Sequence, residues 1–258
     1  MRRRFLIPAL IAALLVAGST SSFAETVQDG NLRVTFNADF APHVLPRLRP
    51  APVKVNVEGR IATTDGSHPP PLRRLEIKLN RNGRIYSKGL PTCAAPTLQS
   101  TSTETALARC RPALVGSGNF HAEVKLGREI AAAGKILAFN SRLHGKPALL
   151  MHLFASAPVR FTLVVPLSIG HRSEGQFGTV LRANIPRLGG DLGSVTEIDL
   201  TIGRRYSFAG KRRSYVSAAC GAPSALNEAI FPFARGSFSF EDHKSFEETL
   251  LRVCRVAG

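Results

Sequence analysis

Residues 148–154 read ALLMHLF and residues 159–169 read VRFTLVVPLSI, and these two runs decide the fold. Both are apolar almost throughout. Both are too short for buried helices, and the second is rich in β-branched residues, so each is predicted as a central β-strand. Pro166, inside the second run, is expected at a bulge or strand end because it cannot donate to a ladder. Outward from this pair the signal changes to strict alternation. Leu32, Val34 and Phe36 alternate with polar residues, as do Val53, Val55 and Val57, and Leu75, Ile77 and Leu79. Phe120, Ala122, Val124 and Leu126 oppose His121, Glu123 and Lys125, and Ile198, Leu200 and Ile202 oppose Glu197, Asp199 and Thr201. Each such run reads as a half-buried antiparallel strand.

Turn chemistry supports the same reading. Asn82-Gly83 predicts a two-residue hairpin between Leu75–Asn80 and Arg84–Tyr86. Ala209-Gly210 and Asp242-His243 mark two further hairpins. The stretches 42–52 and 65–72 are proline-rich and read as extended linkers. One helical unit interrupts the strands: Thr101-Ser102-Thr103-Glu104 has capping-box spacing, and Ala106, Leu107 and Cys110 then share a face. The expected fold is all-β, an antiparallel two-sheet sandwich with one short disulfide-linked helical insert. Residues 25–258 are expected to form a single domain, with 25–52 a partly extended N-terminal segment.

Residues 1–24 carry the marks of a secretory signal peptide. Arg2, Arg3 and Arg4 form a basic start, residues 5–17 are apolar, and Ser22-Phe23-Ala24 fits a cleavage site. The arginines also fit a twin-arginine pattern loosely, so the export route is left open between that and the general secretory pathway. No later run of 18 or more apolar residues exists, so no transmembrane segment is expected in the mature chain. The four cysteines, Cys93, Cys110, Cys220 and Cys254, are an even set in an exported chain and read as two disulfides. Of the three connectivities, Cys93–Cys110 and Cys220–Cys254 are preferred, because each pair brackets one local unit. No C-x-x-C pair points to a metal site.

Between Arg60 and Cys254 the chain resembles an uncharacterised family of secreted proteins from soil actinobacteria. The resemblance rests on Arg60-Ile61-Ala62-Thr63-Thr64-Asp65-Gly66, Gly89-Leu90-Pro91-Thr92-Cys93, Ala106-Leu107-Ala108-Arg109-Cys110, Ala113-Leu114-Val115-Gly116-Ser117-Gly118 and Arg212-Arg213-Ser214-Tyr215. It implies secretion and an all-β fold, and it brings no activity and no functional residues.

Candidate chemistry is sparse. Glu197 and Asp199 project from one strand face about 7 Å apart, a separation compatible with an inverting carboxylate pair. Their strand face reads as an ordinary solvated one, and nothing in the sequence desolvates them. His121 and Glu123 share the same geometry without a second histidine at ligand spacing. His152, inside the first apolar run, reads as a core histidine with a hydrogen-bond partner. Ser117 lies in Gly116-Ser117-Gly118, which is not a nucleophile elbow and reads as a turn or bulge. No phosphate-loop or dinucleotide pattern occurs, and no cofactor or metal is expected.

The strongest departure from background is charge: 34 Lys+Arg against 18 Asp+Glu give a formal net charge of +16. Arg204, Arg205, Lys211, Arg212 and Arg213 flank one predicted hairpin, with Tyr206 and Tyr215 interleaved, and alternation puts Arg204 with Tyr206 and Arg213 with Tyr215 on common strand faces. These seven residues are the candidate binding site for an anionic wall polymer or acidic glycan, with nucleic acid unlikely outside the cell. The expected function is a secreted, non-catalytic binding or structural protein, extracellular or wall-associated. The alternative is a secreted hydrolase acting on polysaccharide.

Overall fold

The computed structural model describes residues 24–188 and 193–257. The signal-peptide reading falls on residues 1–24 and so lies almost wholly outside them. The chain begins with β1 (Glu25–Asp29), β2 (Leu32–Ala41), β3 (Val44–Leu45), β4 (Ala51–Pro52), β5 (Lys54–Thr63), β6 (Leu72–Asn80) and β7 (Gly83–Ile85). Two helices follow, α1 (Ala95–Leu98) and α2 (Thr103–Cys110), and then a 3-10 turn at Arg111–Ala113. A long meander comes next: β8 (Leu114–Leu126), β9 (Arg128–Leu143), β10 (Lys146–Ala155), β11 (Phe161–Glu174) and β12 (Phe177–Asn184). The chain ends with β13 (Gly193–Ile202), β14 (Arg205–Phe208), β15 (Lys211–Ser214), β16 (Val216–Ala218), β17 (Glu228–Phe240) and β18 (Ser245–Val256).

The fold is mainly β and stapled by disulfides, but the expected two-sheet sandwich is replaced by one curled sheet. Thirteen strands lie in the order β1-β2-β5-β13-β8-β9-β10-β11-β12-β6-β17-β18-β3. The curl follows from chain connectivity. β2 and β3 stand near opposite ends of this order, yet only Pro42 and His43 separate them in sequence. Three Cα steps span at most about 11 Å, so the two flanks must bend towards each other. Side chains fasten the seam: Arg252 Nε on β18 donates to Ala38 O on β2 at 2.8 Å, and an Arg252 amino group donates to Asn37 Oδ1 at 2.5 Å. The result is a half-barrel whose inner face carries the main core. The stretch 42–52 is therefore no linker, since it crosses this seam and supplies β3 and β4.

The central runs are apolar on both faces because both faces are covered. Leu149, Leu153, Leu163 and Val165 belong to the interior core, while Leu150 and Val164 pack outward with Leu98 and Ala106 of the helical insert. Pairing places β10 and β11 in the middle of the sheet. Two-sided burial removes the period-two signal, as in sheets sandwiched between layers. Pro166 sits inside β11 opposite Leu150, one residue from the start of the β12 ladder at Leu167, and the pairing there carries no bulge.

The helical insert forms where the sequence predicts it, but its cap lies one residue later than the capping-box spacing implies, because the Thr101 hydroxyl is engaged with Leu98 O. Ser102 is the N-cap of α2, and its hydroxyl accepts from the Thr105 amide at 3.2 Å. Cys93 and Cys110 are joined, as are Cys220 and Cys254. His152 is fully buried under the insert, where Nε2 lies 3.0 Å from both the carbonyl and the hydroxyl oxygen of Thr101. The Thr101 hydroxyl donates to Leu98 O at 2.7 Å. Burial pushes the imidazole pKa below its ordinary 6.5, against the opposing pull of the Thr101 carbonyl. The unfolded chain then binds more protons than the folded one once pH drops below about 6.5, so stability is lost as pH falls through the folded pKa. Denaturant unfolding between pH 7 and pH 5 should show a steeper loss in the native protein than in His152→Gln. Parallel curves for the two would show that this histidine does not couple folding to pH.

Asn82-Gly83 does not make the expected hairpin. β7 leaves the large sheet and pairs with β16, which also pairs β4, in a separate three-stranded sheet. The other two turns behave as read. Ala209 and Gly210 take positive φ (51° and 70°) and join β14 to β15 as a two-stranded sheet. Residues 241–244 join β17 to β18.

Candidate functional site

The basic hairpin is where the sequence places it, but its seven candidates divide. Arg204 precedes β14, and its guanidinium donates to Leu114 O at 2.7 Å and Arg111 O at 3.3 Å, holding the exit of the 3-10 turn. The Tyr206 hydroxyl lies 3.1 and 3.0 Å from the Tyr86 and Lys88 carbonyls. Burial, then the neighbouring Tyr86, raises its pKa. Tyr215 is only 1% exposed and joins the interior core, and its burial holds the phenol protonated. The expectation that Arg213 and Tyr215 share an outer face therefore fails. The strand breaks at Tyr215, between β15 and β16, and its ring turns inward. Arg205, Lys211 and Arg212 remain exposed.

The structure assembles a different site around Arg212 and Arg213. A groove of about 630 Å³ runs beside the hairpin, lined by Arg81, Arg84, Arg212, Arg213, Tyr86 and His171 among others. Among the described residues no Asp or Glu lines it. Arg213 stacks over the Tyr86 ring with its guanidinium carbon 5.3 Å from the centroid, which holds the side chain by cation–π attraction. Arg84 and Ser217 are paired across β7 and β16, so the small sheet brings the two halves of the groove together. Arg81 and Arg84 escaped the sequence reading. They flank Asn82-Gly83, and taking that turn as a plain hairpin hid its role in carrying the chain to a second sheet. Arg205 and Lys211 point elsewhere and do not line the groove.

The weak catalytic candidates occupy a second, shallower depression of about 250 Å³, lined by Asn37, Glu58, Arg60, Glu197 and Asp199 among others. Asp199 stands directly opposite Glu58, and Glu197 opposite Arg60. Asn37 donates to Glu58 Oε2 at 3.1 Å. Three carboxylates thus share one face, but all three are exposed on the outer side of the barrel. A general acid for glycoside cleavage needs burial or a tight like-charge neighbour to hold its proton near neutral pH, and this open face supplies no burial. His121 is exposed nearby, and Glu123 Oε2 lies 3.4 Å from His68 Nδ1. Among the described residues no group of three or more His, Cys, Asp or Glu is placed to hold a metal ion. Gly116-Ser117-Gly118 lies within β8, where the ladder to β9 is irregular between Leu114 and Gly116. A Cβ at Gly118 would sit 1.8 Å from Asp199 O, so these glycines allow β13 to approach closely.

Comparison with protein-family models, curated proteins and solved structures finds no match. The site's meaning therefore rests on its own chemistry. Two disulfides fit an oxidising, extracytoplasmic setting. Among the described residues no helix is long and apolar enough to cross a membrane.

Proposed function

We propose that the protein is a secreted, non-catalytic binding protein that holds anionic polymers of the cell envelope or extracellular space in the groove beside β14 and β15. One observation carries this reading: four arginines, and among the described residues no carboxylate, line a groove of about 630 Å³. Guanidinium groups meet phosphate or carboxylate in a bidentate fashion, and a one-signed cleft raises the local concentration of oppositely charged chains. The aromatic ring of Tyr86 fixes one of these groups in place and offers a face for packing. The exposed carboxylates around Glu197 lie on a separate face and play no part.

Binding of the purified protein to isolated wall polymer and to polygalacturonate, graded in salt, tests this. Arg84→Ala with Arg212→Ala should weaken binding roughly tenfold or more, since each lost charged hydrogen bond is worth about 1.5 kcal/mol. Arg213 is left alone because its stacking on Tyr86 supports the local fold. Native binding should fall steeply as salt rises, because exposed charges are screened over about 8 Å at physiological ionic strength. A double variant that binds both polymers as well as the native protein at low salt would remove the groove from the account. Glu197→Gln should leave binding unchanged.

A further inference from the structure

Behind the groove the barrel is not solid. Two apolar cavities of about 110 and 130 Å³ lie inside it. Leu75, Met151, Leu167 and Ile198 line both, so the cavities meet end to end across one layer of side chains. Aliphatic and aromatic side chains make up most of the wall. An apolar cavity of about 150 Å³ stays dry and accepts a six-carbon guest, so two in series have room for a chain of about ten carbons. Met151 at the junction is unbranched and adaptable, able to swing aside without breaking a packed layer.

The second cavity also abuts the basic groove. Gly83, Arg84, Ile85 and Ser217 line both, so the arginine groove and the aliphatic interior adjoin at β7 and β16. Tyr215 stands at this boundary. It lines the cavity, while its neighbour Ser214 lines the groove. The Tyr215 hydroxyl is buried and has no hydrogen-bond partner among the described residues. Leaving such a group unpaired is costly unless something polar comes within reach.

We propose that the protein takes up an anionic amphiphile, with its aliphatic chain in the barrel interior and its anionic head among Arg84, Arg212 and Arg213. This rests on the groove being an anion site, as argued above, and adds to it the chemical class of ligand. A chain alone would leave the arginines unused. A polar polymer alone would leave the cavities and the Tyr215 hydroxyl unexplained.

The test uses the full-length mature protein with three probes: dodecyl phosphate, dodecanol and butyl phosphate. Dodecyl phosphate should bind most tightly, at least tenfold better than either of the others. Leu167→Trp, which fills the cavity junction, should weaken dodecyl phosphate and dodecanol at least tenfold while leaving wall-polymer binding unchanged. Arg84→Ala with Arg212→Ala should weaken dodecyl phosphate and spare dodecanol. The chain contains no Trp, so Phe233→Trp in the cavity wall places a single reporter there. A chain-brominated dodecyl phosphate should quench it by more than half, which decides the matter even if Leu167→Trp fails to fold. An unquenched indole despite binding, or unchanged dodecyl phosphate affinity in a folded Leu167→Trp, overturns the proposal. So does equal binding of dodecyl phosphate and butyl phosphate. Loss of polymer binding in the arginine variant speaks to the groove alone, so the two readings can fail separately.

Discussion

Cys254→Ser should destabilise the protein by about 4 kcal/mol, the largest effect of any single substitution considered. The bridge to Cys220 closes 34 residues, and the entropy removed from the unfolded chain by a loop of that size corresponds to about 4 kcal/mol. Both cysteines are fully buried, so the serine hydroxyl also enters an apolar site. Cys220 follows directly on β16 and the residues Ala218 and Ala219, which line the second cavity. The bridge therefore anchors the small sheet to the last strand of the barrel. The Cys254→Ser variant should unfold at a lower denaturant concentration than the native protein, and the reduced protein, which loses both bridges, at a lower one still. Cys93→Ser, whose partner bridge closes 17 residues, should cost about 3 kcal/mol. A loss below about 1 kcal/mol for Cys254→Ser would mean that the unfolded chain is already compact there.

Arg252→Leu should cost about 3 kcal/mol by opening the seam. The Arg252 side chain is only 6% exposed and donates to Ala38 O and Asn37 Oδ1, while Asp39 Oδ1 lies 3.7 Å from its Nε. Leucine fills the space but leaves acceptors on β2 without their donor. Breaking a buried pair costs about 3–5 kcal/mol, and the lower end applies because the Asp39 side chain is 28% exposed and partly hydrated. Arg252→Lys keeps the charge but loses the planar fork that reaches Ala38 and Asn37 together, so it should fall between the two. Denaturant midpoints of the three proteins check this. A leucine variant as stable as the native protein would mean that the seam is held by β3 alone.

The seam also shows where sequence reading ends. Period-two patterns over Leu32–Phe36, Val53–Val57 and Ile198–Ile202 identify strands, because alternation is a property of one strand against one covered face. The apolar runs at 148–154 and 159–169 identify the centre of the sheet. The disulfide pairs and the helix that starts near the Thr101–Glu104 capping signal are equally local, each set within a few tens of residues. Nothing in these patterns states whether strands form two facing sheets or one that curls, since inner faces alternate in the same way in both. The choice falls to the crossing at Pro42 and His43 and to Arg252, and the contact of β18 with β2 joins residues more than two hundred positions apart.

The candidate site follows the same division. Clustered basic residues from Arg204 to Arg213 were visible as a charge run, and strand alternation assigned Arg204 with Tyr206 and Arg213 with Tyr215 to common faces. Packing leaves Arg204 and Tyr206 both half-buried and alternating with exposed Arg205, as the first assignment has it, but overrides the second. Arg204 is drawn to the carbonyls of Arg111 and Leu114, and Tyr215 is drawn into the core because burying an aromatic ring outweighs continuing a four-residue strand. Arg81 and Arg84 join Arg212 only because β7 abandons β6 for β16, a pairing that turn chemistry at Asn82-Gly83 does not encode. Local sequence thus determined which segments are strands, where the chain turns and which cysteines pair, since those depend on neighbours along the chain. The curl of the sheet, the apolar interior and the arginine groove were decided by contacts between distant segments, whose free energy exists only once the barrel has formed.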